Sequence, residues 1–309
     1  MKIAVLGPGS LGSVFCGLMT EAGLDVRLVG PRSDHLDAME HGGLTLVEGA
    51  RERTVRVTVA TDCARVGPVD LVVVLVKSAR TREAIEAARP LFGEGTLAIS
   101  LQNGLGNEEV LGEVVGRDRV LSGKTYGGGV ITEPGRVLVA RKGKLTQVGE
   151  LAGGITERAR RLGDLFERAG LETRVCPEML PVIWRKLLIN VSTGAITAIT
   201  GLTYGELVQV PEAVRCGIEA VAEAMAVARA AGIRLEMSDP EEAFLTAVKD
   251  LPSGFKTSML QDVVKGVKTE IDFINGAVVR RGAQHGVPTP VNATLVAAIK
   301  GIEFGLEGG

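Results

Sequence analysis

The chain has 309 residues, 45% of them hydrophobic and 23% charged, with a formal net charge of −2. That length predicts about two domains, and the composition is that of a globular chain with a sizeable core rather than a disordered one. The near-neutral balance provides no chain-wide attraction to nucleic acid, and an aromatic content of 3% is too low for a base-stacking platform. The 41 glycines follow no Gly-X-Y period, so they read as turn residues rather than collagen.

In chain order, Lys2–Leu6 is a short apolar run that ends in glycines and predicts a strand. Ser10–Ala22 has the apolar spacing of a helix and stops at Gly23. Val26–Val29 predicts a second strand and His35–Glu40 a short helix. Leu71–Val76 is unbroken apolar sequence, the pattern of a strand buried on both faces. A helix at Arg80–Arg89 and a strand at Thr96–Leu101 follow. This alternation argues for a parallel, doubly wound α/β sheet. Between Val120 and Val148, turn signals at Glu133-Pro134-Gly135 and Arg141-Lys142-Gly143-Lys144 predict antiparallel strands or hairpins. A helix at Ile155–Ala169 and a strand at Glu172–Cys176 close this part. Beyond Pro177 the periods are helical, at Leu180–Ala198, Pro211–Ala231, Ile271–Ala283 and Asn292–Phe304. Two domains are therefore expected, 1–177 and an all-helical 178–309.

Cys16, Cys63, Cys176 and Cys216 are too far apart for a CxxC pair and read as reduced thiols in or near the core. No secretory leader pattern opens the chain. The uncharged stretch Leu187–Gly205 carries Asn190, Ser192, four threonines and three glycines, so a buried helix fits it better than a membrane span. A cytoplasmic protein without membrane or nucleic-acid partners is expected.

Gly7-Pro8-Gly9-Ser10-Leu11-Gly12 is a GxGxxG motif placed between a predicted strand and a predicted helix, the context that a dinucleotide pyrophosphate site needs. Gly7 allows the turn, Gly9 the approach of the phosphates, and Gly12 the packing of helix on strand. The second strand runs into Gly30-Pro31-Arg32-Ser33 with no acid at its tip. Arg32 could take a 2'-phosphate, so NADP(H) is expected over NAD(H). Lys77 follows the Leu71–Val76 strand, and Gln102-Asn103-Gly104 follows Thr96–Leu101. Both lie at carboxyl strand ends, where open α/β sheets bind ligands. Lys186 and Asn190, four apart, share a helix face in Trp184–Asn190. A lysine desolvated on an apolar helix has its pKa lowered and can act as a general acid near neutrality. Ser258, Glu270, Asp272 and Asn275 form a second polar group, with Glu270 on the apolar face beside Ile274. The three histidines show no metal-ligand spacing, and no metal is expected.

Taken together, the glycine loop, Lys77, Gln102-Asn103-Gly104, the WRKLLxN segment and the SMLQD…TEIDFINGAVV segment resemble the ketopantoate reductase family, from Met1 to about Glu303. The resemblance implies a Rossmann-type domain followed by a helical one, NADP(H), and reduction of 2-dehydropantoate in pantothenate biosynthesis. It also implies roles: Lys186 as the catalytic lysine; Glu270 as the glutamate that holds the substrate hydroxyl near the cofactor; Asn190 and Ser258 at the substrate's hydroxyl and carboxylate ends; Lys77 and Asn103 lining the cofactor and substrate cleft.

Two positions depart from the family pattern. Gly194-Ala195 replaces a frequent Asn-Pro, and Tyr204 replaces an asparagine before Gly205-Glu206-Leu207. A paralogue acting on a different small 2-oxo acid is therefore the second reading, and a nucleotide-binding regulator without turnover the third. The helical half has the apolar helices to form a homodimer.

Overall fold

The computed structural model describes residues 1–140, 144–249 and 251–307. The chain divides into two compact units: Met1–Gln102 with Asn107–Met179, and Asn103–Gly106 with Leu180–Gly309.

The strands of the first unit are β1 (Lys2–Leu6), β2 (Asp25–Val29), β3 (Leu44–Glu48), β4 (Arg51–Val55), β5 (Thr58–Ala60), β6 (Val69–Val74), β7 (Phe92–Ser100), β8 (Val120–Thr125), β9 (Gly128–Glu133), β10 (Arg136–Ala140), β11 (Thr146–Gly149) and β12 (Thr173–Cys176). Its helices are α1 (Ser10–Glu21), α2 (Asp34–Gly42), α3 (Cys63–Val66), α4 (Thr81–Ala87), α5 (Asn107–Val115) and α6 (Glu157–Arg168). Eight strands form one sheet in the order β12-β11-β8-β7-β6-β1-β2-β5. All its pairings are parallel except β8 with β11. The unbroken apolar strands are explained by two cores. Ile3, Val5, Leu71 and Val73 enter one, while their neighbours Ala4, Leu6, Val72 and Val74 enter the other. Strand residues alternate in direction, so a strand covered on both faces needs apolar residues at every position.

The smaller sheet, β4-β3-β10-β9, was only half expected: the β9–β10 hairpin fits the turn at Pro134-Gly135, but β3 and β4 and the parallel pairing of β3 with β10 were not anticipated. This sheet lies against α1. A Cβ on Gly17 would stand 2.9 Å from Leu44 and one on Gly129 2.8 Å from Val14. Every residue from Gly12 to Met19 is consequently buried. The expected turn at Arg141–Lys144 falls on residues 141–143, outside the described residues.

His35 ties these layers together. Its Nδ1 accepts the Gly135 N–H (3.0 Å) and its Nε2 lies 3.0 Å from Ser13 Oγ. Burial holds its pKa below the ordinary value. The neutral ring is therefore the folded form, and its stabilisation is complete above the ordinary histidine range and lost as pH falls through the lowered folded value. Between about pH 7.5 and about pH 5, a window that brackets the ordinary value near 6.5, the melting temperature is expected to fall further for the wild-type chain than for His35→Gln. Parallel curves would contradict this.

The second unit is helical: α7 (Met179–Thr200), α8 (Tyr204–Leu207), α9 (Pro211–Ala230), α10 (Pro240–Val248), α11 (Ser258–Val264), α12 (Asn275–His285) and α13 (Pro290–Glu307). Pro181 is tolerated because it falls in the first turn of α7, where its missing N–H has no intrahelical partner. α7 is long and apolar enough to cross a membrane, but 72% of its most apolar window is buried within the structure, as in a core helix. α9 crosses α7 closely at Gly217, where a Cβ would lie 2.3 Å from the Ser192 carbonyl oxygen. The start of α13 is held by Glu223 of α9, whose carboxylate accepts the N–H groups of Val291 (2.8 Å) and Asn292 (3.0 Å). These are first-turn amides that a helix leaves unpaired.

Candidate active site

In the first unit the glycine loop follows β1, at the point where the strand order reverses between β6 and β2. Gly7 has φ +107°, and a Cβ there would meet the backbone of Leu75 and Val76 at 2.8 Å. A Cβ on Gly12 would stand 1.9 Å from the Gly7 carbonyl oxygen, so helix and loop meet with no room for a side chain. Gly9, by contrast, faces open space, with nothing within 4 Å of its Cβ position. It occupies the N-cap of α1 with no side-chain cap, and the first turn holds no acid. Uncapped amides at the positive end of a twelve-residue helix, beside an open glycine, fit the pyrophosphate of a dinucleotide. Pro8, Ser10 and Leu11 complete the loop, and Pro8 packs on Gly30, where a Cβ would be 2.2 Å from its Cδ. The tip of β2 thus sits beside the cradle. Two residues on, exposed Arg32 is held by Asp37 (2.5 Å) and Glu40 (2.9 Å) of α2.

Contrary to the sequence reading, Lys77 does not follow its strand directly. β6 ends at Val74, because β1 stops at Leu6 and leaves Val76 without a strand partner. The Val76 carbonyl instead accepts Gln102 Nε2 (2.8 Å), and Lys77, exposed, precedes a single 3-10 turn, Ser78–Arg80. A buried polar network missed from the sequence backs these strand ends. Gln102 Nε2 also donates to Thr81 Oγ1 (2.7 Å), which lies 3.1 Å from Asn107 Oδ1. Lys124, 1% exposed, donates to the Gln102 carbonyl (2.9 Å) and to Glu108 (3.0 Å), and Ser122 also donates to Glu108 (2.7 Å). The available signal was a lysine in the middle of a strand whose six residues are all buried. Truncating one partner of such a pair leaves an uncompensated charge, at a cost of about 3–5 kcal/mol.

The second unit brings Asn103 and Glu270 together, although they are 167 positions apart: Asn103 Nδ2 donates to Glu270 Oε2 at 3.3 Å. Their loops are joined by a backbone bond from Leu105 N–H to the Phe273 carbonyl (2.9 Å). Gly104, at φ +80°, would place a Cβ 2.2 Å from that carbonyl. The continuous helix expected over Ile271–Ala283 is broken. Ile271–Phe273 forms a 3-10 turn capped by the Glu270 carbonyl, and α12 begins only at Asn275. Glu270 therefore sits at a turn, 9% exposed, rather than on a helix face.

Lys186 and Asn190 lie one turn apart on α7, both half-buried, and Ser258 is exposed at the first position of α11. Thr257 caps α11 by accepting the Leu260 N–H (3.1 Å) and is tied to α7 through Thr197 Oγ1 (2.7 Å). Tyr204 is buried: its hydroxyl lies 3.0 Å from Thr193 Oγ1 and its ring 5.2 Å from that of Phe255. Burial pushes its phenol up, so it stays neutral. A Cβ on Gly194 would make ordinary contact with Met259, at 3.7 Å. Among the described residues no cluster of metal-ligating side chains occurs. The four cysteines are free, and burial pushes the Cys16 thiol up to about 12.

Comparison with known proteins bears on both units. Residues 3–153 match the family model described as Ketopantoate reductase PanE/ApbA, and residues 178–303 match Ketopantoate reductase PanE/ApbA C terminal. The 2-dehydropantoate 2-reductase of Halobacterium salinarum is 37% identical over 301 residues, 97% of this chain and 98% of that protein. A PanE/ApbA family ketopantoate reductase from Ralstonia eutropha JMP134 is similar at TM-score 0.91 and 31% identity, covering 99% of this chain and 100% of that one. A D-mandelate dehydrogenase, solved with NADH and anilino(oxo)acetate, is similar at TM-score 0.92 and 25% identity, with coverage of 99% and 100%.

Proposed function

The chain belongs to the ketopantoate reductase family, and from that premise we propose that it reduces 2-dehydropantoate to pantoate with NADPH, in pantothenate biosynthesis. The observation that carries the reading is the bond between Asn103 and Glu270, since a buried carboxylate held by an amide is polar machinery that a nucleotide-binding module does not need. The dinucleotide supplies a hydride from its dihydronicotinamide ring. Gly7, Gly9 and Gly12, with Pro8, Ser10 and Leu11, hold its pyrophosphate on the first-turn amides of α1, and Lys77 adds a positive charge at the neighbouring strand end. Lys186 gives a proton to the ketone oxygen as the 2-oxo carbon accepts the hydride, or holds the developing alkoxide by charge. Water then restores the ammonium. Glu270 accepts a hydrogen bond from the substrate hydroxyl, Asn103 holds Glu270 and lines the site, and Asn190 and Ser258 bind the hydroxyl and carboxylate ends.

The cofactor preference rests on Arg32. Its guanidinium is already paired with the carboxylates of Asp37 and Glu40, so a 2'-phosphate has to replace those carboxylates as its partner. Arg32→Ala is expected to lower kcat/KM for NADPH about 10-fold, the size of one charge-assisted hydrogen bond, and to leave that for NADH unchanged. An equal loss with both cofactors would contradict the assignment.

A second reading, a reductase of another 2-oxo acid, is favoured by Tyr204 and Gly194 and by the likeness to a D-mandelate dehydrogenase. Steady-state kinetics with 2-dehydropantoate and benzoylformate separate the two. The first reading expects the higher kcat/KM with 2-dehydropantoate, and the reverse order would replace it with the second.

A further inference from the structure

We infer that Glu303, near the end of the last helix, is a positioning residue that sets the Glu270 carboxylate through Thr269; the inference rests on the role proposed for Glu270. Glu303 is only 5% exposed, although it lies within the last turns of α13. Its Oε1 accepts both the Thr269 N–H (2.8 Å) and the Thr269 hydroxyl (2.7 Å). Its Oε2 accepts Lys300 Nζ (3.0 Å), and Lys300 also bonds Asp272. Thr269 Oγ1 in turn accepts the Ile271 N–H (3.2 Å). The backbone on both sides of Glu270 is thereby fixed: Thr269 before it by Glu303, and Ile271 after it by the Thr269 hydroxyl. Asp272 is reached from the same helix through Lys300.

The segment needs such an anchor. Residues 269–274 form no extended helix, only a single 3-10 turn followed by a break at Ile274 (φ −105°, ψ −96°). No continuous helix ladder fixes this stretch from within. Burying a carboxylate is costly unless its oxygens are bonded. Glu303 meets that condition by taking three donors from or beside the segment that carries Glu270. The other side of Glu270 is fixed by Asn103 (3.3 Å) and by the Leu105–Phe273 backbone bond. Glu270 is thus clamped between the Asn103 loop and the end of the C-terminal helix, and Glu303 acts on the reaction through it without touching substrate.

The test is a double-mutant cycle with a second readout that needs no turnover. Protein labelled with 15N at asparagine reports the Asn103 side-chain amide, identified by its loss in Asn103→Asp. Glu303→Ala is expected to move that resonance in the direction that Glu270→Gln does. It is also expected to lower kcat/KM for 2-dehydropantoate about 100-fold, the scale of a misplacement near 1 Å, and to change NADPH affinity no more than Glu270→Ala does. In a Glu270→Ala background the same substitution should have no further effect. Glu303→Gln, which keeps an acceptor for Thr269, should restore most of the activity. Should Glu303→Ala fail to fold, Thr269→Val removes both bonds of the hydroxyl, to Glu303 and from the Ile271 N–H, keeps the bond from the Thr269 N–H to Glu303, and should show the same effects at smaller size. An unmoved amide resonance, or losses that multiply across the cycle, would overturn the inference. A wild-type protein inactive on 2-dehydropantoate would instead refute the substrate, and the amide resonance would still decide for or against Glu303.

Discussion

Replacement of Lys186 by alanine is expected to lower kcat by between about 100- and 10,000-fold, the usual range for a lost general acid, with NADPH binding unchanged. Lys186 is half-buried on α7, one turn from Asn190, in a stretch whose Trp184, Leu187 and Leu188 are buried. The buried apolar residues of α7, among them Trp184, Leu187 and Leu188, are all kept in this variant, so the helix is expected to stay packed. The substitution also leaves untouched the glycine loop, which belongs to the other unit. Lys186→Arg separates the two contributions of the side chain. The guanidinium keeps the charge and does not release its proton at any working pH, so the activity it retains measures electrostatic stabilisation alone. Retention of a normal kcat by Lys186→Ala, measured as NADPH oxidation under substrate saturation, would contradict the role of proton donor.

The second large effect is expected at Gly12. A Cβ there would lie 1.9 Å from the Gly7 carbonyl oxygen and 3.7 Å from Val5. The colliding atom is backbone, so it cannot rotate aside as a side chain would. Gly12→Ala must therefore push α1 from β1, at a cost of about 1–3 kcal/mol, and distort the loop that presents the first-turn amides. Loss of both melting temperature and NADPH binding is expected. Gly9→Ala is the control. Gly9 has φ −80°, which any residue adopts, and open space at its Cβ position. This variant should melt like the wild type and bind NADPH more weakly, because the methyl group would fill the open space at which the proposed cradle takes the phosphates. Cofactor fluorescence titration beside a thermal melt checks both variants. Normal NADPH binding by Gly12→Ala, or unaltered binding by Gly9→Ala, would contradict the placement of the cradle.

The parts of this protein that could be read from its sequence are those governed by local periodicity. Strand β1, the glycine loop and α1 follow from a run of apolar residues, three glycines and a 3.6-residue period, and they lie within a residue of where they were expected. The strands β3 and β4 were not legible. Arg51-Glu52-Arg53-Thr54-Val55 is a charged edge strand whose single apolar residue is Val55, too little for a period, and its ion pair from Arg53 to Glu48 forms only once the hairpin exists. The break after Phe273 was hidden for a related reason. The apolar spacing of Ile271–Ala283 continues across it, whereas the bonds that enforce the turn, from Glu303 and Leu105, come from residues far away in sequence. Asn103 and Glu270 were each singled out by their motifs, yet their contact could not be inferred from positions 167 apart. Lys124 and Glu108 were missed entirely, because a charged residue in a strand or a helix's first turn suggests solvent unless its buried partner is known.

The proposed reduction is tested by the fate of the hydride. NADPH deuterated at C4 of the dihydronicotinamide, on each face in turn, is turned over with 2-dehydropantoate and the product is analysed by mass spectrometry and NMR. Pantoate carrying deuterium at C2 is expected from one of the two labelled cofactors and none from the other, formed in step with NADPH oxidised. Pantoate without label from either cofactor, or NADPH oxidation with no pantoate formed, would contradict the proposed reduction.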